Sequence, residues 1–398
     1  MTSRASLPPR RAAIVGWAHS QFGKSEDPDV ESLMARVTGA ALADAGVPAE
    51  AVDGIYVGVM NSGFSKQGFE GALVALADEK LSHTPSTHLE NACATGSAAI
   101  YTAMDFVESG RGNIALVVGA EKMTALPTAE VGDVLLSACY RKEDADVEGG
   151  FAGIFGKITQ SYFQRYGDRS EELGRIAAKN HKNGVSNPYA HMRKDFGVEF
   201  CTTVSDKNPY VAGPLRRTDC SLVSDGAAAL VLADEDTART LKRAIAFRAR
   251  RQVNDILALS KRDPTLFDGA RRAWAASLTD AGMKITDLSL VETHDCFTIA
   301  EMIEYEAMGL AKLGEGYKVV REGLAERGGT LPVNLSGGLK SKGHPIGATG
   351  VSMHIMAAMQ VAGEAPEGMQ LNGATTAGVF NMGGVSVANY CSILERLK

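Results

Sequence analysis

The feature that most constrains the fold of this chain is an internal repeat. Two short patterns recur in the same order, 236 and 254 residues apart. The first pair is A-L-A-D-A-G at 41–46 with S-L-T-D-A-G at 277–282, each followed by a predicted strand (55–58 and 289–293). The second pair is T-G at 95–96 with T-G at 349–350. Repeated segments in one order predict two similar α/β halves that pack together. Ligands of such proteins bind at the carboxyl ends of the strands, which places the expected cleft between the halves.

Each half alternates apolar strands with amphipathic helices, the order that builds parallel sheets. Residues 114–119 (I-A-L-V-V-G) form an unbroken apolar run, which is typical of a strand covered on both faces. Residues 32–45 carry apolar side chains at helical spacing, and Gly46 follows as the expected C-cap. The sequence therefore predicts an α/β protein.

Residues 122–216 differ from both halves. They contain four prolines and a charged cluster at 141–144, with aromatic residues near a predicted helix at 156–165. We interpret this stretch as an inserted loop or lid domain. The expected division is 1–121 with 217–250 for the first half, 122–216 for the insertion and 251–398 for the second half.

Charge and cysteine content exclude several classes of protein. Lys and Arg total 41 against 47 for Asp and Glu, a net charge of −6, so no basic field attracts nucleic acid or an anionic membrane. The six cysteines include no C-x-x-C pair and are too few for a disulfide framework, which favours a reducing, cytoplasmic location. There is also no apolar run of about 18 residues that would span a bilayer.

Cys93 lies between a predicted strand and a predicted helix. The unpaired N–H groups and the dipole at a helix N-terminus stabilise a thiolate, so this position predicts a lowered thiol pKa and a nucleophile. The alternative is a cysteine that only packs in the core.

His344 lies in a loop with five glycines among fourteen residues, 337–350. Pro345 disfavours a helical backbone at His344, which places the imidazole on an ordered loop just before a helix. Cys93 and His344 precede the two copies of the T-G pattern, so we expect them to occupy matching corners and meet in one cleft. The alternative is a surface histidine among glycines that serve only the turns.

Residues 292–297 (E-T-H-D-C-F) follow the repeated strand of the second half. A zinc site is one interpretation of His294, Asp295 and Cys296. Adjacent residues on an extended chain point to opposite sides, and no C-x-x-C or H-x-x-x-H accompanies them, so we expect no metal. A thiol beside an imidazole instead suits acid–base catalysis.

Taken together, these segments resemble the thiolases over essentially the whole chain. The segment N-A-C-A-T-G-S-A at 91–98 resembles their nucleophile segment, S-D-G-A-A-A-L-V-L at 224–232 the strand that closes the first half, and the glycine-rich loop at 337–350 the second catalytic histidine loop. Where ordinary thiolases have N-E-A-F, this chain has H-D-C-F at 294–297, and in this respect it resembles thiolases of the sterol-carrier-protein type. The resemblance implies two βαβ-rich halves in a five-layer αβαβα core with an inserted lid.

The resemblance also implies residue roles. Cys93 would accept the acyl group, His344 would activate Cys93, and His294 would complete an oxyanion site. Cys296 would act as the acid/base, because Asn381 stands where common thiolases carry a second cysteine. Gly383 would supply a backbone N–H to a second oxyanion site.

The implied activity is CoA-dependent cleavage or formation of a 3-ketoacyl-CoA through a cysteine thioester, an acyltransferase reaction with coenzyme A as cosubstrate and no tightly bound cofactor. Arg216, Arg217 and Ser224 are the expected CoA-binding residues. Met123, Phe151 and Phe155 either line an acyl tunnel or pack in the core. The alternatives are a retro-aldolase or condensing enzyme on the same fold and a non-catalytic acyl-CoA or lipid-binding subunit.

The resemblance implies partners as well. A homodimer, or a dimer of dimers, is expected. Some members work only with a small companion protein that carries a zinc ribbon and an OB fold, and such a companion is compatible with this chain. No nucleic acid and no membrane are expected to bind.

Overall fold

The computed structural model describes residues 10–398, apart from the side chains of residues 128 and 129. Its strands are β1 (Ala12–His19), β2 (Gly54–Gly58), β3 (Ser86–Leu89), β4 (Ile114–Glu121), β5 (Tyr210–Ala212), β6 (Leu215–Arg216), β7 (Gly226–Asp234), β8 (Ile245–Asn254), β9 (Leu290–Glu292), β10 (Thr376–Gly383) and β11 (Ala388–Arg396). Its helices are α1 (Val30–Ala45), α2 (Glu70–Leu73), α3 (Thr95–Glu108), α4 (Thr128–Leu135), α5 (Arg141–Asp144), α6 (Gly150–Tyr166), α7 (Ser170–Gly184), α8 (Gly197–Thr202), α9 (Glu235–Thr240), α10 (Asp268–Ala281), α11 (Thr298–Ala307), α12 (Gly316–Arg321), α13 (Gly338–Lys342) and α14 (Ile346–Ala362).

Nine strands form one continuous sheet in the order β3-β2-β4-β7-β1-β8-β11-β10-β9. The two halves of this sheet join between β1 and β8, which pair through only two residues of each strand. Within the halves, β2 pairs in parallel with β3 and β4, and β9 pairs in parallel with β10. The other ladders are antiparallel, so the sheet is mixed rather than all parallel. A long segment, and not a single helical crossover, connects β4 to β7. This connection does not require the two strands to be parallel, and they pair antiparallel.

Helices cover the halves of the sheet and fill the space between them. α1 packs on β1, β4 and β7, and α10 packs on β8 and β11. α3 and α14 pack against each other, with α3 on the first half of the sheet and α14 in contact with both halves. Residues 346–361 of α14 are all buried, as expected of a helix apolar on every side. The layers run α, β, α, β, α, which confirms the predicted fold.

Glycines let the central layer pack at backbone distance. A Cβ placed on Gly96 of α3 would lie 2.7 Å from the backbone nitrogen of Val351 in α14. One on Gly347 would lie 2.4 Å from the carbonyl oxygen of Ala120 in β4. The first turns of α3 and α14 are therefore pressed together, and these turns follow Cys93 and His344.

The predicted helix at 32–45 is α1, and Gly46 ends it with φ of +69°. The predicted lid helix at 156–165 lies within α6, but the insertion also contains α7, which the sequence did not predict. The expected boundary at 250/251 falls inside β8, a strand that pairs along its length with β11. The division into domains stays a prediction. Within residues 10–398, no helix is both long enough and apolar enough to cross a bilayer.

Candidate active site

Cys93 sits just before α3, at the carboxyl end of the first half of the sheet. Its side chain is buried, at 3% exposure. Burial raises the pKa of the thiol to about 12, although the N–H groups of Gly384 and of Cys93 itself favour the thiolate. The expected lowering of the pKa by the helix N-terminus is therefore not observed, because desolvation outweighs it. The resting group is a neutral thiol.

His344 lies between α13 and α14, at the matching corner of the second half. Its ring is buried, and Nδ1 lies 2.7 Å from the hydroxyl oxygen of Thr349. Burial and the nearby Lys342 lower the pKa of His344 to about 3, so the imidazole is neutral at physiological pH. A neutral imidazole is able to accept a proton from a thiol.

His294 lies between β9 and α11 and is fully buried. Its ring meets that of His344 edge to face, with centroids 5.1 Å apart. The sulfur of Cys93 and one ring nitrogen of each histidine all lie within 4.8 Å of one another. The prediction that distant thiol and imidazole groups meet in one place is therefore confirmed. These three side chains also have the composition of a zinc site, although their sequence spacing gave no sign of one.

Cys296 follows His294 by two residues and is also buried. Burial raises the pKa of this thiol well above its usual value, and the neighbouring Cys93 adds to the effect. Cys296, like Cys93, is thus a neutral thiol that is able to donate a proton.

The turn after β10 approaches Cys93 from the other side. A Cβ on Gly383 would lie 2.4 Å from the carbonyl oxygen of Asn91, so this position has no room for a side chain. The backbone N–H of this turn that stabilises the Cys93 sulfur belongs to Gly384, the next residue. The role of Gly383 as an oxyanion donor stays a prediction, with Gly384 as a second candidate.

Asp295 links the loops of His294 and His344, a role that the sequence did not reveal. Its carboxylate accepts hydrogen bonds from the backbone N–H groups of Leu339 (2.6 Å) and Lys340 (3.2 Å), at the start of α13. It also accepts one from the side-chain amide of Asn180 in α7, at 2.7 Å. Next to it, Lys179 of α7 pairs with buried Glu301 at 2.7 Å. The inserted segment therefore helps to hold the loops of His294 and His344, and no sequence pattern marks Asn180 for this task.

Cys93, Cys296 and His344 line one cavity of about 160 Å³. The rest of its wall is mostly apolar and includes Met123, Phe151, Phe297 and Ile346. Phe155 does not line it but stacks on Phe297, with ring centroids 4.3 Å apart. Among the lining residues that the structure describes, none is Asp, Glu, Lys or Arg. This pocket accepts an uncharged group beside the thiol.

A second cavity, of about 460 Å³, lies between the inserted segment and residues 217–222 with Lys340, and it shares Leu222 with the first. Its lining includes Lys194, Lys207 and Arg217, together with the stacked rings of Phe196 and Phe200. Basic and aromatic side chains suit a nucleotide that carries phosphates.

Only one of the three residues expected to bind CoA faces this second cavity. The guanidinium of Arg216 is buried, pairs with Asp219 at 2.8 Å and donates to the carbonyl oxygens of Ser170 and Thr202. Ser224 is fully buried and bonds to His191 at 2.9 Å. Their positions do not support a CoA contact by Arg216 or Ser224, because both side chains are occupied inside the protein.

Comparisons with known proteins agree with this fold and site. Residues 12–236 match the family described as thiolase, N-terminal domain, and residues 252–396 match thiolase C-terminal domain-like. The chain is 33% identical over 392 residues to an acetyl-CoA acetyltransferase of Methanothermobacter thermautotrophicus, covering 97% of this chain and 100% of that protein. It is 30% identical to human sterol carrier protein 2, covering 94% of this chain and 70% of that protein.

Two solved structures share the fold. The structure described as Ltp2-ChsH2(DUF35) aldolase superposes with a TM-score of 0.80 at 21% identity, covering 98% of this chain and 99% of that one. An acetyl-CoA acetyltransferase from Syntrophomonas wolfei superposes with a TM-score of 0.74 at 18% identity, covering 98% and 100%. With both halves matched by the family and relatives aligned over almost the whole chain, this protein belongs to the thiolase family.

Proposed function

We propose that the protein is a CoA-dependent thiolase, which cleaves or forms a 3-ketoacyl-CoA by way of an acyl group on Cys93. The observation that carries the proposal is the convergence of Cys93, His294 and His344, whose ligand atoms lie within 4.8 Å of one another, beside a cavity that Cys93 and His344 line. A thiol beside a neutral imidazole is the arrangement that covalent catalysis by cysteine requires.

In the degradative direction, His344 accepts the thiol proton as the sulfur of Cys93 attacks the 3-keto carbon. The carbon–carbon bond then breaks, and Cys296 protonates the enolate of acetyl-CoA as it leaves. A second CoA thiol gives its proton to the Cys296 thiolate as it takes the acyl group, and His344 returns its proton to the released Cys93 thiolate; synthesis is the reverse. Each donor that stabilises a transient oxyanion contributes about 3–4 kcal/mol in comparable sites.

The burial of the catalytic pair sets the timing of this reaction. A thiol with a pKa of about 12 and an imidazole with a pKa of about 3 do not form an ion pair at rest. The proton therefore moves only when a substrate carbonyl is in place to take the negative charge. This protects Cys93 from alkylation and oxidation between turnovers, since the thiolate is the reactive form.

The second cavity is our candidate for the site that binds the nucleotide part of CoA. Its lining contains four basic side chains and one acidic one, which leaves an excess of positive charge: Lys194, Lys207, Arg217, Lys340 and Asp195. Leu222 lines both this cavity and the one at Cys93. A pantetheine chain that passes Leu222 would carry a thioester to the sulfur. Replacement of Arg217 by Ala is expected to raise the KM for CoA.

The small apolar cavity supports substrates with a short, uncharged acyl group. Engineered cavities of about 150 Å³ hold a molecule the size of benzene. We expect the highest kcat/KM for 3-ketoacyl-CoA substrates with short linear, branched or aromatic acyl groups, and a steep loss for long chains and for chains that end in a carboxylate. The Phe151→Ala variant should extend the accepted length, because it removes a ring from the wall.

The decisive test is Cys93→Ala, with Cys201→Ala as the control for loss of a buried thiol. Cys201 packs in the inserted segment against Ala177 and Ala178. We expect Cys93→Ala to abolish CoA-dependent cleavage of acetoacetyl-CoA and Cys201→Ala to retain it. Mass spectrometry of the wild type should show an acyl adduct on Cys93. Undiminished cleavage by Cys93→Ala would refute the proposal.

An aldolase is the second candidate, because a structure with the same fold is described as an aldolase. A retro-aldol reaction needs no acyl adduct, so the mass of Cys93 after exposure to substrate separates the two. That structure also contains ChsH2(DUF35), which supports a companion protein here. Activity that appears only when such a companion is added would reveal one.

A homodimer in the cytoplasm is the remaining part of the proposal. β3 lies at the edge of the sheet with Ser86, Thr87 and His88 exposed, and Phe69 nearby is 84% exposed. An open strand edge beside an exposed aromatic ring suits pairing with a second copy of the chain. Light scattering that gives the mass of a single chain would contradict this.

A further inference from the structure

We propose that Asn381 is a positioning residue that keeps the proton of His294 on Nε2, so that His294 donates a hydrogen bond to the reacting oxygen while His344 acts as the base. This inference deepens the proposed function and rests on it for the contact between His294 and an oxygen of the substrate. The assignment of the protons themselves rests on the hydrogen-bond network and on the burial of both rings.

The orientation of the Asn381 amide is fixed by two partners. The hydroxyl of Ser97 lies 2.7 Å from Oδ1 and donates to it. Nδ2 lies 3.0 Å from the carbonyl oxygen of Cys93, which only accepts hydrogen bonds. A flipped amide would place two oxygens against each other, so Nδ2 is the atom on this side.

The same Nδ2 atom lies 2.9 Å from Nδ1 of His294. Because Nδ2 only donates, Nδ1 of His294 must accept and carries no proton. Burial, His344 and Lys342 hold the pKa of His294 well below its usual value, so the ring is neutral and has one proton. That proton is on Nε2, which has no partner among the described residues.

His344 has the opposite arrangement. The hydroxyl of Thr349 donates to the carbonyl oxygen of Pro345 at 2.8 Å, so its single proton is used. The hydroxyl oxygen therefore accepts from Nδ1 of His344, at 2.7 Å. Nε2 of His344 then carries a lone pair, and within the described part of the chain it too has no partner.

The two rings thus present one donor and one acceptor at the sulfur of Cys93. His344 is able to take the thiol proton, whereas His294 is able to hold an oxyanion. Asn381 stands where ordinary thiolases have a cysteine, and His294 stands where they have an asparagine. The two differences explain each other, because a histidine at 294 needs a hydrogen-bond donor to its Nδ1, which Asn381 supplies. The same protonation removes one of the three lone pairs that a zinc ion would need, which favours catalysis over metal binding.

The first experiment needs no variant of Asn381. Protein labelled with ¹⁵N-histidine is studied by solid-state NMR, which separates protonated from unprotonated ring nitrogens, and His294→Gln and His344→Gln identify the two signals. We expect a protonated Nε2 for His294 and a protonated Nδ1 for His344. A protonated Nδ1 on His294 would overturn the proposal even if the enzyme is a thiolase. The assignment is testable whether or not thiolase activity is found.

The second experiment reverses the donor with Asn381→Asp. A carboxylate accepts from Nδ1, so the proton of the His294 ring moves from Nε2 to Nδ1. We expect kcat to fall by about 10²–10³-fold, the loss seen when one oxyanion donor is removed, with the KM for CoA nearly unchanged. The variant should also gain Cd²⁺ binding, visible as sulfur-to-metal charge-transfer absorption, because Cys93, His294 and His344 then offer three lone pairs.

Ser97→Ala is the matched control. It removes the contact at Oδ1 of Asn381 but keeps both hydrogen bonds of Nδ2, of which the one to the carbonyl oxygen of Cys93 still orients the amide. The His294 tautomer should therefore stay that of the wild type, and any loss of kcat should be far smaller than in Asn381→Asp. Equal losses of kcat in Ser97→Ala and Asn381→Asp, with no change in the NMR signals of either, would show that Asn381 only fills space and would overturn the proposal.

Discussion

Arg216 and Arg217 are neighbours in the sequence, and the structure gives them different tasks. Arg216 is 2% exposed and pairs with fully buried Asp219, whereas Arg217 is exposed and lines the second cavity. We therefore predict that Arg216→Met lowers the stability of the protein, and that Arg217→Ala weakens CoA binding without changing stability.

The size of the first effect follows from the partners of Asp219. This carboxylate accepts from the backbone and side chain of Arg216, both at 2.8 Å, and from the hydroxyl of Thr298, at 2.8 Å. Removal of the guanidinium leaves a buried carboxylate without its positive partner, which costs about 3–5 kcal/mol in comparable proteins. Met keeps most of the volume of the Arg216 side chain, so the loss measures the charge rather than a cavity.

Urea unfolding followed by circular dichroism checks the stability of both variants, and initial rates over a range of CoA concentrations give the KM. We expect a clearly lower unfolding midpoint only for Arg216→Met and a higher KM for CoA only for Arg217→Ala. An unchanged midpoint together with a raised KM in Arg216→Met would refute the reasoning, because it would make Arg216 a ligand contact.

Three further predictions concern buried groups. Burial raises the pKa of Glu121 from its usual 4.5 to about 7, so between these pH values the folded state holds a proton that the unfolded state releases. The stability that this group contributes is therefore present below pH 4.5 and lost as the pH rises to 7. Glu121→Gln should flatten that decline in the urea midpoint, and an unchanged slope would contradict it. Gly350→Ala should cost about 1–3 kcal/mol of stability, because its Cβ would lie 2.3 Å from the nitrogen of Ser97. Gly39→Ala should not destabilise, since no atom of the described residues lies within 4 Å of its Cβ, and equal urea midpoints for the two variants would count against this packing. Cys296→Ala should slow cleavage about 10²–10⁴-fold while iodoacetamide still alkylates Cys93 at the wild-type rate, and full activity would remove Cys296 from the mechanism.

The sequence predicted the halves, the central helices and the meeting of Cys93 with His344, because repeats and turn residues are local signals. It did not predict the protonation of the site. The helix start suggested a thiolate, but the burial that keeps Cys93 neutral comes from distant parts of the chain, such as Met60 and Ile346, that pack with it. Electrostatic effects of this kind depend on distant parts of the chain.

The side-chain contacts of the inserted segment could not be predicted from the sequence either. Arg216 looked like a phosphate ligand until its buried partner Asp219 was known. Asn180 had no visible role, since its partner Asp295 lies 115 residues away. Hydrogen bonds over such separations leave no periodic pattern, so only the folded chain reveals them.

The glycine contacts between the central helices limit how the enzyme is able to move. Gly96 and Gly347 bring backbone against backbone, which leaves no slack for one half to rotate away from the other. Part of the wall of the cavity at Cys93 comes from the segment between residues 122 and 216, so we expect substrate entry and product exit to depend on that segment. To broaden the range of accepted substrates or to raise the turnover rate, that segment should be redesigned and the contact between α3 and α14 left intact.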